Sequence, residues 1–180
     1  VRAAAATWYV SPSGNDGSAG TSTGTAFRTL NKAVAAASSG DTIQLAAGDY
    51  TGGTISKAVT VNGAKAGTAA GPSATPADRS TGTGSSFSGE SVFSVTLTVS
   101  AVGATIDGVV VNPTTASNSV TVSVSGATIR NSILVGRSNA IATSGTNSPI
   151  AATVAAGANA YTLTGNRLIG GRYGVYLQNA

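Results

Sequence analysis

Six carboxylates offer the most obvious chemistry in this chain of 180 residues, which contains no His, Cys or Met. Without His or Cys the chain cannot form a His-based catalytic triad, a disulfide or a Cys/His metal site. A glycoside hydrolase needs a pair of facing carboxyl groups, and a calcium site needs about six to eight oxygen ligands. The acids are instead scattered along the sequence: Asp16, Asp41, Asp49, Asp78, Glu90 and Asp107. We therefore predict no catalytic residue, no metal site and no cofactor, and we lean against an enzyme.

Basic and aromatic residues of the second half are the remaining candidates for a site. If the repeated segments described below stack, several arginines come close together on one face, where an acidic polysaccharide would screen their repulsion. Tyrosines beside them could stack on sugar rings. The predicted glycan-binding residues are Arg130, Arg137, Arg167, Arg172, Tyr173 and Tyr176. The alternative is that these side chains are solvated at turns and bind nothing.

The composition limits the partners. Lys and Arg total 10, Asp and Glu total 6, and the formal net charge is +4, with only 9% of the residues charged. No run of Lys or Arg is present, so we predict no nucleic-acid partner. No apolar run approaches the roughly 18 residues of a membrane span. The mild positive charge favours acidic partners such as uronate-bearing glycans, and the wealth of Ser, Thr, Gly and Ala is typical of secreted proteins.

One helix is expected near the N-terminus. Phe27, Leu30, Val34 and Ala37 recur at spacings of three and four residues, which gives a single apolar stripe. We expect Thr25 to cap the start of this helix, and Gly40 to end it in a left-handed conformation.

Internal repetition begins after residue 92 and is the most informative feature of the sequence. The phrase Val95–Ser100 returns as Val120–Ser125, 25 residues later, and Gly103–Gly108 returns as Gly126–Asn131, 23 residues later. A looser third copy places Leu163–Ile169 under the segment that begins at Ile129. Each period has room for three short strands joined by tight turns.

This period predicts an all-β fold, a parallel β-helix (solenoid). Short strands bury little by themselves, but when coils of the chain stack, each strand pairs with the equivalent strand about 4.8 Å away and the inward side chains form ladders. We expect Asn131 and Asn166 to stack at a turn and to donate to neighbouring backbone, with Gly108 at the equivalent place. The alternative architecture is a two-sheet sandwich, which gives no reason for a fixed repeat.

The domain organisation follows from these segments. We predict that residues 1–7 are an N-terminal arm or the remnant of a signal peptide, because Val1–Ala6 contains an Ala-x-Ala stretch; alternatively, the sequence was cut at that point. Residues 8–180 are predicted to form a single β-helix domain. Within it, residues 64–90 are of low complexity and are predicted to be a long exposed loop, although a linker between two domains would have the same composition.

Residues 8–63 resemble the N-terminal segment of right-handed β-helix proteins of the pectate-lyase-like superfamily. The matching phrases are Tyr9-Val10-Ser11 with Gly14-Asn15-Asp16, Phe27-Arg28-Thr29-Leu30 with Ala33-Val34, Gly40-Asp41-Thr42-Ile43, Gly48-Asp49-Tyr50 and Val59-Thr60-Val61-Asn62-Gly63. The resemblance implies a right-handed solenoid whose N-terminal end is capped by the single α-helix. Polysaccharide lyases of this fold use a Lys or Arg base, often with calcium, but the matching phrases carry no catalytic residue over to this chain.

The sequence thus favours a non-catalytic extracellular or cell-surface module with a structural, filament-forming or adhesive role. Residues 174–178 read as a further coil, and nothing polar or helical follows to cover it. We therefore expect head-to-tail self-association through this uncapped end, together with contact to an acidic polysaccharide. The alternative is the N-terminal part of a polysaccharide lyase or another carbohydrate-active β-helix enzyme.

Overall fold

Short strands dominate the computed structural model, which describes residues 4–70, 87–115, 118–136, 150–154, 161–170 and 174–179. One α-helix and a 3-10 turn, Thr23–Thr25, accompany the strands in this part of the chain. The elements are β1 Thr7–Val10, α1 Leu30–Ala36, β2 Thr42–Leu45, β3 Gly48–Tyr50, β4 Gly53–Ile55, β5 Thr60–Asn62, β6 Ser91–Phe93, β7 Leu97–Val99, β8 Thr105–Asp107, β9 Val110–Val111, β10 Val120–Val122, β11 Thr128–Arg130, β12 Ile133–Gly136, β13 Ile150–Val154, β14 Thr162–Thr164, β15 Arg167–Gly170 and β16 Val175–Asn179.

The strands form three sheets that wind around one axis. Sheet 1 has the order β1-β2-β5-β8-β11-β14, sheet 2 the order β3-β6-β9-β12-β15, and sheet 3 the order β4-β7-β10-β13-β16. All pairings between these strands are parallel. From β2 onward, each described coil of the chain, called a rung here, contributes one strand to every sheet, and β1 adds a sixth strand to sheet 1. The fold is therefore the predicted parallel β-helix with one α-helix.

Inward side chains form ladders through the core. In sheet 1, Ile43, Val61, Ile106 and Ile129 follow one another at paired positions, and all four are buried. In sheet 2, the rings of Tyr50 and Phe93 stack with their centroids 5.2 Å apart. The alternation of side chains along a strand explains the pattern, because every second residue faces the interior.

The register confirms one sequence repeat and corrects another. Thr105 pairs with Thr128, which confirms the offset of 23 residues, and Leu163 pairs with Ile129 as predicted. Leu97, however, pairs with Val120, so the other phrase also stacks with an offset of 23 residues and the predicted 25 is wrong. An alternating phrase matches itself after a shift of two residues, since such a shift keeps every side chain on the same face.

The helix begins later than its sequence pattern predicts. Thr29 is the N-cap and its side chain accepts a hydrogen bond from the Lys32 amide, whereas Thr25 lies in the preceding 3-10 turn. The carboxylate of Asp16 accepts hydrogen bonds from the amides of Arg28 and Thr29 and from the Thr29 hydroxyl, and these bonds hold the chain extended up to that point. The helix ends at an extended Ala37, so Gly40, although left-handed, is not its cap.

The helix closes the N-terminal end of the solenoid, as expected from the resemblance. Leu30, Ala33 and Val34 are buried in the main core. The ammonium group of Lys57 donates to the carbonyls of Ala35 and Ala37, and so satisfies acceptors that the end of the helix leaves open. No described helix has the length and apolar character needed to cross a bilayer.

The segment 64–90 connects β5 to β6, and residues 71–86 lie outside the described part. Its described ends are not wholly exposed. Ala70 and Phe87 are buried against the outer face of sheet 2, where they form a second small core with Val92, Val110 and Ile133. The prediction of an exposed loop within a single domain therefore stays a prediction for the middle of the segment.

Candidate functional site

The predicted arginine surface is only partly within the described residues. Arg137, Arg172 and Tyr173 lie outside them, and of Tyr176 only the backbone position in β16 is described. Arg130 ends β11 in sheet 1, and Arg167 begins β15 in sheet 2. The glycan-binding set as a whole stays a prediction.

Arg130 is bound to a carboxylate. Its Nε lies 2.8 Å from Oδ2 of Asp107, one rung below, and the Asp107 side chain is almost fully buried. Oδ1 of Asp107 accepts two further hydrogen bonds, from the Asn131 amide side chain at 2.8 Å and from the Gly67 backbone amide at 3.0 Å. Burial alone raises the pKa of Asp107, but the hydrogen bonds and the nearby positive charge outweigh burial and hold this pKa below its ordinary value.

This carboxylate joins three parts of the chain at the corner between sheets 1 and 2. Residues 64–70, called the strap here, run along that corner across successive rungs: Gly67 bonds to Asp107, and the Ala70 amide donates to the Gly165 carbonyl. Asn131 has φ 52° and stacks with Gly108 and Gly165, which are also left-handed. Asp107 and its partners Arg130, Asn131 and Gly67 therefore have a structural role. The two opposite charges balance each other without a ligand.

The prediction that Asn131 and Asn166 stack on each other is wrong, because the register aligns Asn131 with Gly165 and Asn166 with Ser132. Asn166 donates to the Ile129 carbonyl and accepts from the Ser132 amide, so its predicted bond to neighbouring backbone is confirmed. Asn131 is aligned with Gly165 and donates to the Asp107 side chain. The sequence analysis did not predict its contact with Asp107, because the two residues are 24 positions apart and only the register between rungs brings them together.

The C-terminal rung, formed by β14, β15 and β16, exposes apolar side chains at positions that are buried in the rung before it. Leu163 is 41% exposed where its partner Ile129 is 1% exposed. Leu168 is 38% exposed against 0% for Leu134. The same step occurs in sheet 3, since Val175 is 39% exposed and Ile150 only 2%. Among the described residues, the last strand of each of the three sheets therefore carries an exposed apolar side chain at a core position.

A cavity of about 200 Å³ opens inside this rung. It has a wholly apolar accessible lining, and its floor is the core of the rung below. The lining residues are Val122, Ala127, Ile129, Ile150, Tyr161, Leu163 and Val175. A cavity of this kind offers no polar group to orient a substrate, so it fits apolar side chains better than a reacting molecule.

The N-terminal end is different because its strand edge is occupied. The Tyr9 amide donates to the Gly20 carbonyl, and the Phe27 amide donates to the Tyr9 carbonyl. The Ser11 amide is bonded to Phe27 as well. The outer edge of sheet 1 is thus paired with residues 20–27 at this end, while α1 packs against β4 in sheet 3. In the described residues, the exposed core positions belong to the C-terminal rung.

Metal chemistry finds no support in the described residues, where no group of three or more acidic, Cys or His side chains comes together. The acids are held separately instead. Asp41, for example, accepts hydrogen bonds from the Ser38 amide, the Trp8 indole and the Ala6 amide, and these bonds lower its pKa. These three bonds give Asp41 a structural role.

Comparison with known proteins identifies a family. A family model described as "Protein of unknown function (DUF1565)" matches residues 12–179. No curated protein and no solved structure matches the chain. Since the match over residues 12–179 covers well over half of the sequence, this chain belongs to the DUF1565 family.

Proposed function

We propose that this chain is a non-catalytic extracellular β-helix module with a structural or adhesive role, related to the pectate-lyase-like superfamily. The observation that carries the proposal is the exposure of Leu163, Leu168 and Val175 at core positions of the last described rung. Strand edges that lie beside exposed apolar side chains are a template for the addition of further strands. The role of the module is therefore to be joined end to end to another β-helical rung.

A second copy of the chain is the proposed occupant. The head-to-tail contact expected from the sequence would set this rung against an N-terminal end where the described edge of sheet 1 is already bonded to residues 20–27. Contact between two C-terminal rungs instead brings together the apolar openings of two solenoids, at the described positions Leu163, Leu168 and Val175. Burying the exposed part of one such Leu or Val side chain contributes about 1 kcal/mol, and a symmetric pair buries three from each copy.

The test is the mass of the whole chain in solution, measured by sedimentation equilibrium from micromolar to millimolar concentrations. We expect reversible dimers that Leu163→Glu abolishes, because a carboxylate at this position would be buried without a partner. Val102→Glu is the matched control, since Val102 is 63% exposed and lies in a turn away from the C-terminal rung.

Circular dichroism should show the same β-content for both variants and the unchanged chain. A chain that stays monomeric at millimolar concentration would overturn the proposal. So would a dimer that survives Leu163→Glu, or one that Val102→Glu disrupts equally.

A further inference from the structure

A small cleft lies at the opposite end of the molecule, beside the N-terminal cap. Its volume is about 220 Å³, and its lining combines polar and apolar groups. Pro12 contributes accessible apolar surface, whereas Leu30 also lines the cleft but is itself buried. Arg28, Asp49 and Thr51 contribute polar groups. Asp49 and Tyr50, which line this cleft, belong to β3, the first strand of sheet 2. The C-terminal rung contains β15, the last strand of the same sheet. The two surfaces are therefore separate.

Two opposite charges face this cleft without neutralising each other. The Arg28 and Asp49 side chains are both exposed and both line the cleft. Among the described residues, the guanidinium of Arg28 and the carboxylate of Asp49 form neither an ion pair with each other nor a hydrogen bond to another group. The backbone amide of Arg28 is fixed by Asp16, so the position of the residue is set while its side chain stays available.

These groups match the chemistry of an acidic sugar. A guanidinium binds a carboxylate through two parallel hydrogen bonds, and a carboxylate accepts hydrogen bonds from hydroxyl groups. The partly exposed apolar ring of Pro12 can pack against the C–H groups of a sugar ring. The volume is below the range of sites for drug-sized ligands, which limits the ligand to about one sugar residue.

We propose that this cleft binds one uronate residue of an acidic glycan, with the sugar carboxylate on Arg28 and its hydroxyl groups on Asp49. The inference rests on the proposed extracellular role only for the source of the glycan. Dimerisation is not needed for it, so the two proposals can fail separately.

The experiment is a titration of the isotope-labelled whole chain with D-glucuronate, followed through the backbone amide signals of Thr51 and Gly52. We expect saturable shifts with a dissociation constant on the order of 1 mM, because a small open cleft supports weak binding. Arg28→Ala should weaken binding at least about tenfold, and D-glucose, which lacks the carboxylate, should bind about as weakly to the unchanged chain. Arg28→Lys should fall between them, because it keeps the charge and loses the paired hydrogen bonds.

Lys32→Ala is the matched control. Lys32 is exposed on α1, carries the same charge as Arg28 at the same end of the molecule, and does not line the cleft. Its removal should change the affinity less than about twofold. A loss equal to that of Arg28→Ala would show general attraction of anions and overturn the proposal, as would the absence of saturable shifts.

The role of Asp49 has its own test. Asp49→Asn should weaken glucuronate binding about threefold, because a neutral amide oxygen accepts hydroxyl hydrogen bonds less strongly than a carboxylate. An increase in affinity would mean that Asp49 only repels the ligand, and it would overturn the placement of the hydroxyl groups.

Discussion

Gly108 gives the sharpest test of the corner between sheets 1 and 2, because the strap crosses directly over it. Its φ is 70°, and a Cβ at this position would lie 2.2 Å from the Ala66 nitrogen and 2.3 Å from the Lys65 carbonyl carbon. Both are backbone atoms, so neither can move aside as a flexible side chain would. Gly108→Ala therefore combines a left-handed Ala with a collision that requires the strap to shift.

Gly103 supplies the matched control. Its φ is 78°, but the nearest atom to an added Cβ is the Ala58 Cβ at 3.8 Å, which is ordinary contact. Gly103→Ala should reduce the free energy of unfolding by about 1 kcal/mol, the cost of a left-handed Ala. Gly108→Ala should reduce it by about 3 kcal/mol, since overpacking against fixed atoms adds about 1–3 kcal/mol.

Urea unfolding followed by the fluorescence of Trp8, the single tryptophan, measures both changes. Hydrogen exchange provides an independent readout: the Gly67 amide, bonded to Asp107, should lose protection in Gly108→Ala and keep it in Gly103→Ala. Equal losses of stability in the two variants, with Gly67 still protected, would refute the crossing of the strap over Gly108.

Two further predictions concern buried carboxylates. Asp107→Asn should lower the free energy of unfolding by about 2 kcal/mol at neutral pH. Because the folded pKa of Asp107 lies below the ordinary value of 3.8, its stabilisation is fully present above about pH 4 and is lost as the pH falls through the folded pKa. The difference in the free energy of unfolding between Asp107→Asn and the unchanged chain, measured by urea titration, should therefore become smaller below pH 4. A difference that stays constant with pH would contradict this. Asp41→Ala should lower the free energy of unfolding by about 2 kcal/mol and move Trp8 emission to longer wavelength, since the indole loses its acceptor at 2.9 Å; an unchanged emission and urea midpoint would count against this prediction.

The solenoid was predictable from the sequence because its signal is local and repeated. Alternating phrases and left-handed turn residues recur once per rung, and the same signal places Leu163 at a core position. The sequence alignment alone identified Leu163 as equivalent to Ile129, which the register confirms. The core position of Leu163 in the last described rung could therefore be predicted from the sequence. The ambiguity of two residues in the offset of Leu97 and Val120 shows the limit of such a signal, because a period of two matches itself after every second residue.

The start of the helix was not predictable from its apolar stripe. Phe27 continues the stripe by spacing, yet it is bridged to Val10 as an extended residue. The deciding group is Asp16, whose carboxylate bonds to Thr29 from 13 residues away. A pattern of neighbouring residues contains no information about such a contact.

The sequence by itself determined the parallel β-helix, its rung length and the exclusion of His- and Cys-based chemistry, since side-chain alternation and composition need no knowledge of distant contacts. Only the tertiary structure decided which charges are available. It binds Arg130 to Asp107 across 23 residues of chain, and it leaves Arg28 and Asp49 unpaired in one cleft. The physical reason is that a charge is neutralised by whatever lies within about 4 Å of it, and in a solenoid those neighbours come from the adjacent rung and from the strap that crosses it.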